Sequence, residues 1–134
     1  MDTVKNTSEQ TPPIEYSIRY KMYLQNYFVE FFGTMFFIYI VLATGNPLAI
    51  GAAYGLTVLL TRNISGGHIN PVTTIVMSSA GQISSSDVIP YCLAQVFGGL
   101  FALEIFKQVN HSSSIFDNIN LNRHENEEQG GKKK

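Results

Sequence analysis

Between Tyr27 and Thr61 the chain carries a single charged side chain, Glu30, in a run that is otherwise apolar or small. A helix needs only about 20 residues to cross a hydrocarbon layer of about 30 Å. In that layer every backbone amide must find its partner within the protein. The run is therefore too long for one span and must be broken. Gly45-Asn46-Pro47 supplies the break, because Gly and Asn accept turn geometry and Pro suits the first turn of a new helix. The pattern predicts a helical hairpin, its first arm from about Tyr27 to Thr44 and its second from about Pro47 to Arg62. The second arm is short for a full crossing.

A third span is expected from about Val88 to Phe106, entered through Ser84-Ser85-Ser86-Asp87, whose hydroxyl and carboxylate groups cap free amides. Pro90 fits the first turn of that span. Between the second and third spans, Ile69 to Met77 is apolar but too short to cross, and suits a half-depth helix from Pro71 to Ser79. Tyr16, Tyr20, Tyr23 and Tyr27 recur at spacings that place them on one helical face, as expected of an interfacial lead-in helix. The last 24 residues are rich in Asn, Glu, Ser and Lys without an apolar period, and disorder is expected there. The organisation is thus a polar arm over 1–26, a membrane domain over 27–107 and a polar tail over 108–134. Arg19, Lys21, Arg62 and Lys107 give a weak bias toward an inside N-terminus.

The remaining composition chiefly excludes. The 134 residues make one compact unit, and a net charge of -1 with scattered basic residues excludes a nucleic-acid partner. About 20 polar residues precede the first apolar run, which reads as a retained anchor rather than a cleaved signal. The one cysteine, Cys92, has no second thiol for a disulfide or a chelating motif. His68, His111 and His124 lack metal-ligand spacing and no nucleophile stands beside a base, so neither a metal, a cofactor nor an enzymatic activity is expected. Gly51-x-x-x-Gly55 and Gly98-x-x-x-Ala102 predict close helix contacts.

The segment Ser65-Gly66-Gly67-His68-Ile69-Asn70-Pro71 carries the most chemistry. Irregular backbone survives at membrane depth only where protein or a water-filled cavity surrounds it. Gly66 and Gly67 permit an extended or left-handed path that exposes successive carbonyls. Asn70 then Pro71 is a cap followed by a first-turn residue. A half-helix starting there ends its positive dipole inside the membrane, where it turns water oxygens toward itself and opposes cations.

Ser65-Gly66-Gly67-His68-Ile69-Asn70-Pro71-Val72 resembles the Ser-Gly-x-His-x-Asn-Pro-Ala box of the aquaporin and glycerol-facilitator family. Glu30-Phe31-Phe32-Gly33-Thr34, Tyr54-Gly55-Leu56-Thr57-Val58 and Ala94-Gln95-Val96-Phe97-Gly98-Gly99 are similar to its first, second and third helices. The resemblance covers residues 24–108. It implies an all-α membrane fold of three spans plus one re-entrant half-helix, half of an inverted-repeat bundle. It also implies a passive path for water or small neutral solutes such as glycerol. Gly66, Gly67 and His68 would line that path through their carbonyls, and Asn70 would donate its side-chain amide where Pro71 opens the half-helix. Tyr54 would set pore width, and Glu30 would brace the loop. Val72 departs from the usual Ala.

The family builds its pore from two such halves, and a second box with its flanking pattern is not found here, since Asn46-Pro47 lacks the Ser-Gly-x-His context. The resemblance therefore implies a partner, either a second copy in the opposite orientation or a separate chain. The alternative is a non-conducting, aquaporin-like membrane protein with a structural or modulatory role.

Overall fold

A computed structural model describes residues 13–131. Four helices follow in order: α1 (Pro13–Ala43), α2 (Pro47–Thr61), α3 (Pro71–Ser79) and α4 (Val88–Gly131), with a 3₁₀ turn at Ser85–Asp87 ahead of α4. Among the described residues there is no strand.

The turn chemistry sets the internal boundaries. Asn46 caps α2 by accepting from the Leu48 and Ala49 amides at 2.9 and 3.3 Å, with Pro47 in the first position. Asn70 and Pro71 repeat the device at α3, where the Asn70 side chain accepts from the Val72 amide at 2.8 Å. Beyond α3, the Gln82 amide returns to the Met77 carbonyl and the Gly81 amide to that of Ser78, at 2.9 and 3.0 Å. This paired closure ends a helix sharply. Each of these positions agrees with the elements expected from sequence.

The outer ends differ. No break separates the tyrosine-rich lead-in from the first span, so α1 is one helix from Pro13 onward. Residues 1–12 of the expected polar arm lie outside the described residues. At the other end, α4 remains helical to Gly131, where a disordered tail is expected. Once a helix is nucleated each further residue costs little, and a polar sequence without a packing face can prolong it. Ser112 and Ser113 bond back to the Gln108 and Val109 carbonyls, and Lys107 pairs with Glu104 at 2.8 Å on this outer stretch. Lys132-Lys133-Lys134 lies outside the described residues.

Among the described residues two stretches are long and apolar enough to cross a membrane, Tyr20–Ala43 and Ser85–Ile115. With 15 residues, α2 is about 22 Å long. Helix α1 packs against both α2 and α4, and α3 packs against α4. Gly98 makes the α1–α4 crossing close: a side chain there would run into the Phe31 carbonyl oxygen and approach the Met35 nitrogen at 3.3 Å. Ala102, one turn on, is fully buried in the same crossing. The other small-residue pair does not behave this way, because Gly51 and Gly55 face open space. The α2 face that bears them meets no other part of the described chain.

Burial runs opposite to that of a water-soluble domain. The buried side chains include Glu30, Thr34, Thr57, Thr61, Ser65, His68, Thr74 and Gln95, whereas Phe28, Phe32, Leu60, Ile75 and Phe101 are more than half exposed. Polar groups gather at the centre where they satisfy one another, and aliphatic and aromatic side chains point outward, as a lipid environment requires.

Candidate functional site

The centre of that polar interior is Glu30, a fully buried carboxylate on α1. One oxygen accepts from the Ser65 hydroxyl at 2.6 Å and the His68 amide at 3.0 Å. The other accepts from the Ile69 amide at 2.7 Å and the Gln95 side-chain nitrogen at 2.9 Å. Four donors from the 65–69 loop and α4 therefore converge on one side chain, and no buried side-chain polar atom among the described residues lacks a partner. A charge in a low-dielectric interior is tolerated only with this degree of hydrogen bonding.

The loop that Glu30 holds is conformationally demanding. Gly66 and Gly67 have φ of 97° and 66°, and Ile69 has φ of 56°. Glycine accepts that region at little cost, but a β-branched residue there is a true outlier. Three anchors fix Ile69. Its amide is bonded to Glu30, its carbonyl accepts from the Thr34 hydroxyl at 3.2 Å, and its buried side chain fills the space that a side chain at Gly33 would occupy. At the other end of the loop, the Ser65 carbonyl accepts from the buried Tyr91 hydroxyl at 2.8 Å.

The two terminal carbonyls of the loop are thus tied to the protein. Among the described residues no donor reaches the carbonyls of Gly66, Gly67 and His68, which lie between them. The same loop leads to Asn70, which is exposed. Because its side-chain oxygen caps Val72, its Nδ2 group is turned away from the helix and has no acceptor among the described residues. Pro71 is half-buried at the first turn of α3.

The α3 helix is held from behind. Thr74 is fully buried, with its hydroxyl 2.9 Å from the Gln95 nitrogen and 3.1 Å from His68 Nδ1. Gln95 thereby couples Glu30 to α3. The His68 ring also lies against Tyr91, with centroids 5.3 Å apart. Its imidazole is therefore a packed, hydrogen-bonded component of the scaffold.

Of the residues singled out from sequence, the structure brings Glu30, Gly66, Gly67, His68, Asn70 and Pro71 together. Tyr54 stands outside this network, partly exposed on α2 and edge-on to Phe37 at 5.3 Å. Val72 is 67% exposed, so its extra methyl groups crowd nothing within the chain. Sequence reasoning gave no site role to Thr34, Thr74, Tyr91 and Gln95, although Thr34 and Gln95 lie within the first- and third-helix motifs. Gln95 is the one side-chain amide in the apolar stretch 88–106, and such a group at membrane depth must have a partner. No cluster of His, Cys, Asp and Glu among the described residues is arranged to hold a metal ion.

A family model described as major intrinsic protein matches residues 17–132, well beyond the stretch covered by the motifs. The chain is 36% identical over 88 residues to glycerol uptake facilitator protein-like 6 of Lactiplantibacillus plantarum, which covers 59% of this chain and 41% of that protein. It is 34% identical over 102 residues to aquaporin-8 of Notomys alexis, covering 68% and 39%. To aquaporin Z of Brucella melitensis it is 37% identical over 91 residues, covering 57% and 40%. The chain spans about two fifths of the length of these relatives. No solved structure gives a significant match. The matched span, the relatives and the apolar helices together identify an integral membrane protein, and the chain belongs to the major intrinsic protein family.

Proposed function

We propose that this chain forms one half of a passive membrane channel for water or small neutral solutes such as glycerol. In this reading α1, α2 and the 88–106 part of α4 are the three spans, and the 65–71 loop with α3 is a re-entrant element ending near mid-depth. The observation that carries it is the row of unpaired carbonyls at Gly66, Gly67 and His68 leading to the free Asn70 amide, between two carbonyls bonded to protein.

A water molecule offers two donors and two acceptors. Along the row it donates to successive carbonyls, and at Asn70 it meets donors instead. The amide dipoles of α3 add a partial positive charge at the same point, so the water presents its oxygen there. A neutral solute with hydroxyl groups meets the same sequence of partners, and a cation meets an unfavourable potential at the helix end. Tyr54 contributes an aromatic wall to the path, and Glu30 keeps the Gly67 and His68 carbonyls in line by binding the amides of the same peptide groups.

The carbonyl row requires a covering wall, and Val72 and Val76, which are 67% and 59% exposed, offer that wall an apolar face on α3. A second copy in the opposite orientation or a separate chain supplies that wall in this reading. Similarity to proteins named as aquaporins and as a glycerol uptake facilitator-like protein supports the solute class. Stopped-flow swelling of vesicles containing the chain tests it. Osmotic permeability should exceed that of empty vesicles, and Asn70→Asp should abolish the excess by replacing donors with an acceptor. A correctly inserted chain with no excess permeability would instead favour the structural or modulatory role.

A further inference from the structure

In a trans peptide the N–H and the C=O point to opposite sides, so a contact that fixes one fixes the other. No peptide bond among the described residues is cis. The His68 amide points to one Glu30 oxygen at 3.0 Å and the Ile69 amide to the other at 2.7 Å, so the Gly67 and His68 carbonyls of the same peptides point away from α1. At the next peptide the order is reversed. The Ile69 carbonyl faces α1, where it accepts from the Thr34 hydroxyl at 3.2 Å. The Asn70 main-chain amide therefore points away from α1, as the two preceding carbonyls do, and it has no acceptor among the described residues.

We propose that the Asn70 main-chain N–H is a second donor to the permeating water or hydroxyl group, beside the Asn70 side-chain amide, and that Thr34 is the positioning residue that turns it outward. The inference deepens the channel reading above and rests on it.

Glu30 and Thr34 are both buried and stand one helical turn apart on one face of α1. A carboxylate accepts only, and a hydroxyl can also donate. Along the loop, α1 therefore binds an amide, an amide and then a carbonyl, and the far side of the loop shows the complement: a carbonyl, a carbonyl and then an amide. A permeant following that side donates twice and then accepts. The polarity thus reverses in the main chain itself, at the point where the Asn70 side chain presents its own donors.

The reversal falls across Ile69, whose φ of 56° and buried side chain keep it in place. Thr34 is the one donor that reaches the Ile69 carbonyl among the described residues. The Asn70 side chain cannot take over that task, because its oxygen is committed to the Val72 amide at 2.8 Å. Two donors on one residue offer partners to both lone pairs of a water oxygen.

Hydrogen exchange of the full-length chain in detergent reads the amide without requiring conduction. The Asn70 amide should exchange faster, on the order of tenfold, than the His68 and Ile69 amides that Glu30 holds. Equal protection of all three would overturn the inference. Swelling of phosphatidylcholine vesicles reads the function. Thr34→Val keeps the shape and removes the hydroxyl, and should lower the excess water permeability about fivefold, as expected when one hydrogen bond no longer holds the peptide. The His68 and Ile69 amides should stay protected in that variant, and Thr34→Ser should retain the permeability of the unaltered chain. Asn70→Ala keeps the main-chain donor and should retain part of the excess, which Thr34→Val added to it should remove. Unchanged permeability in Thr34→Val, a fall accompanied by lost protection at His68 and Ile69, or failure of Thr34→Ser to retain permeability would overturn the role of Thr34. Absence of excess permeability from the unaltered chain would overturn the channel reading itself, whereas a protected Asn70 amide in a conducting chain would overturn this inference alone.

Discussion

At the scale of single residues, the fold turns on a carboxylate that accepts four hydrogen bonds and a β-branched residue held at positive φ. Both are legible only in part. That Glu30 lies in an apolar run is plain from the sequence, but its donors are separated from it by 35 to 65 positions. No local pattern reports such a pairing, and Ile69 gives no sign that it adopts a glycine-like conformation. The donor set makes a sharp prediction. Glu30→Gln keeps the shape but turns an NH₂ group against amide donors, leaving at least one buried donor without an acceptor. Unfolding in detergent followed by circular dichroism should show a loss of about 1–3 kcal/mol. Ile69→Gly separates strain from packing: it relieves about 1–2 kcal/mol of left-handed backbone cost but removes a buried side chain worth about 2–5 kcal/mol. The same unfolding measurement should show net destabilisation, because the packing term is larger.

At the scale of helices, the starts are more legible than the far ends. Asn46-Pro47 and Asn70-Pro71 announce α2 and α3 because capping is chemistry within three residues, and α3 spans the expected Pro71–Ser79. The continuation of α4 to Gly131 is not announced, since prolonging an existing helix needs neither a cap nor an apolar face. The two Asn-Pro pairs share a local design and differ in what surrounds them: only the second follows a loop tied to a buried carboxylate. Asn46→Ala and Asn70→Ala should therefore each cost about 1 kcal/mol in thermal unfolding. Only Asn70→Ala should also reduce vesicle permeability. The small-residue pairs diverge in the same way. Gly98→Ala sets a methyl group against the Phe31 backbone and should destabilise the α1–α4 crossing by about 1–3 kcal/mol. Gly55→Ala meets open space and should be neutral or stabilising by about 0.5–1 kcal/mol, from helix propensity alone. Thermal unfolding of the two variants in one detergent reads the contrast directly.

At the scale of the molecule, the exterior is of two kinds, and lipid satisfies only one of them. Outward Phe, Leu and Ile side chains need no partner in hydrocarbon, but backbone carbonyls at Gly66, Gly67 and His68 and the amide of Asn70 do. Gly66 and Asn70 are exposed, so a bare chain in a membrane would leave their free polar groups facing acyl tails, at a cost of several kcal/mol for each. That cost is what drives assembly in the proposed function, and it fixes where assembly occurs: the covering chain must lie over the loop and the Val72–Val76 face of α3, not over the apolar side of α4. Val76→Cys in a Cys92→Ser background places one thiol on that face, and Val96→Cys in the same background places one on the outward side of α4. Oxidation in vesicles at low protein-to-lipid ratio should yield a cross-linked dimer from the Val76 position if a second copy is the cover, and monomer from Val96. Because opposed half-helices require opposite insertion, side-specific labelling of the dimer-forming protein should find its N-termini on both faces of the membrane. In the proposed three-span arrangement Arg19, Lys21 and Arg62 fall on one side and Lys107 on the other, so orientation rests on a bias of a few charges. Adding two lysines before Tyr20 should bias every copy to one orientation, and the Val76 cross-link should disappear with the mixture.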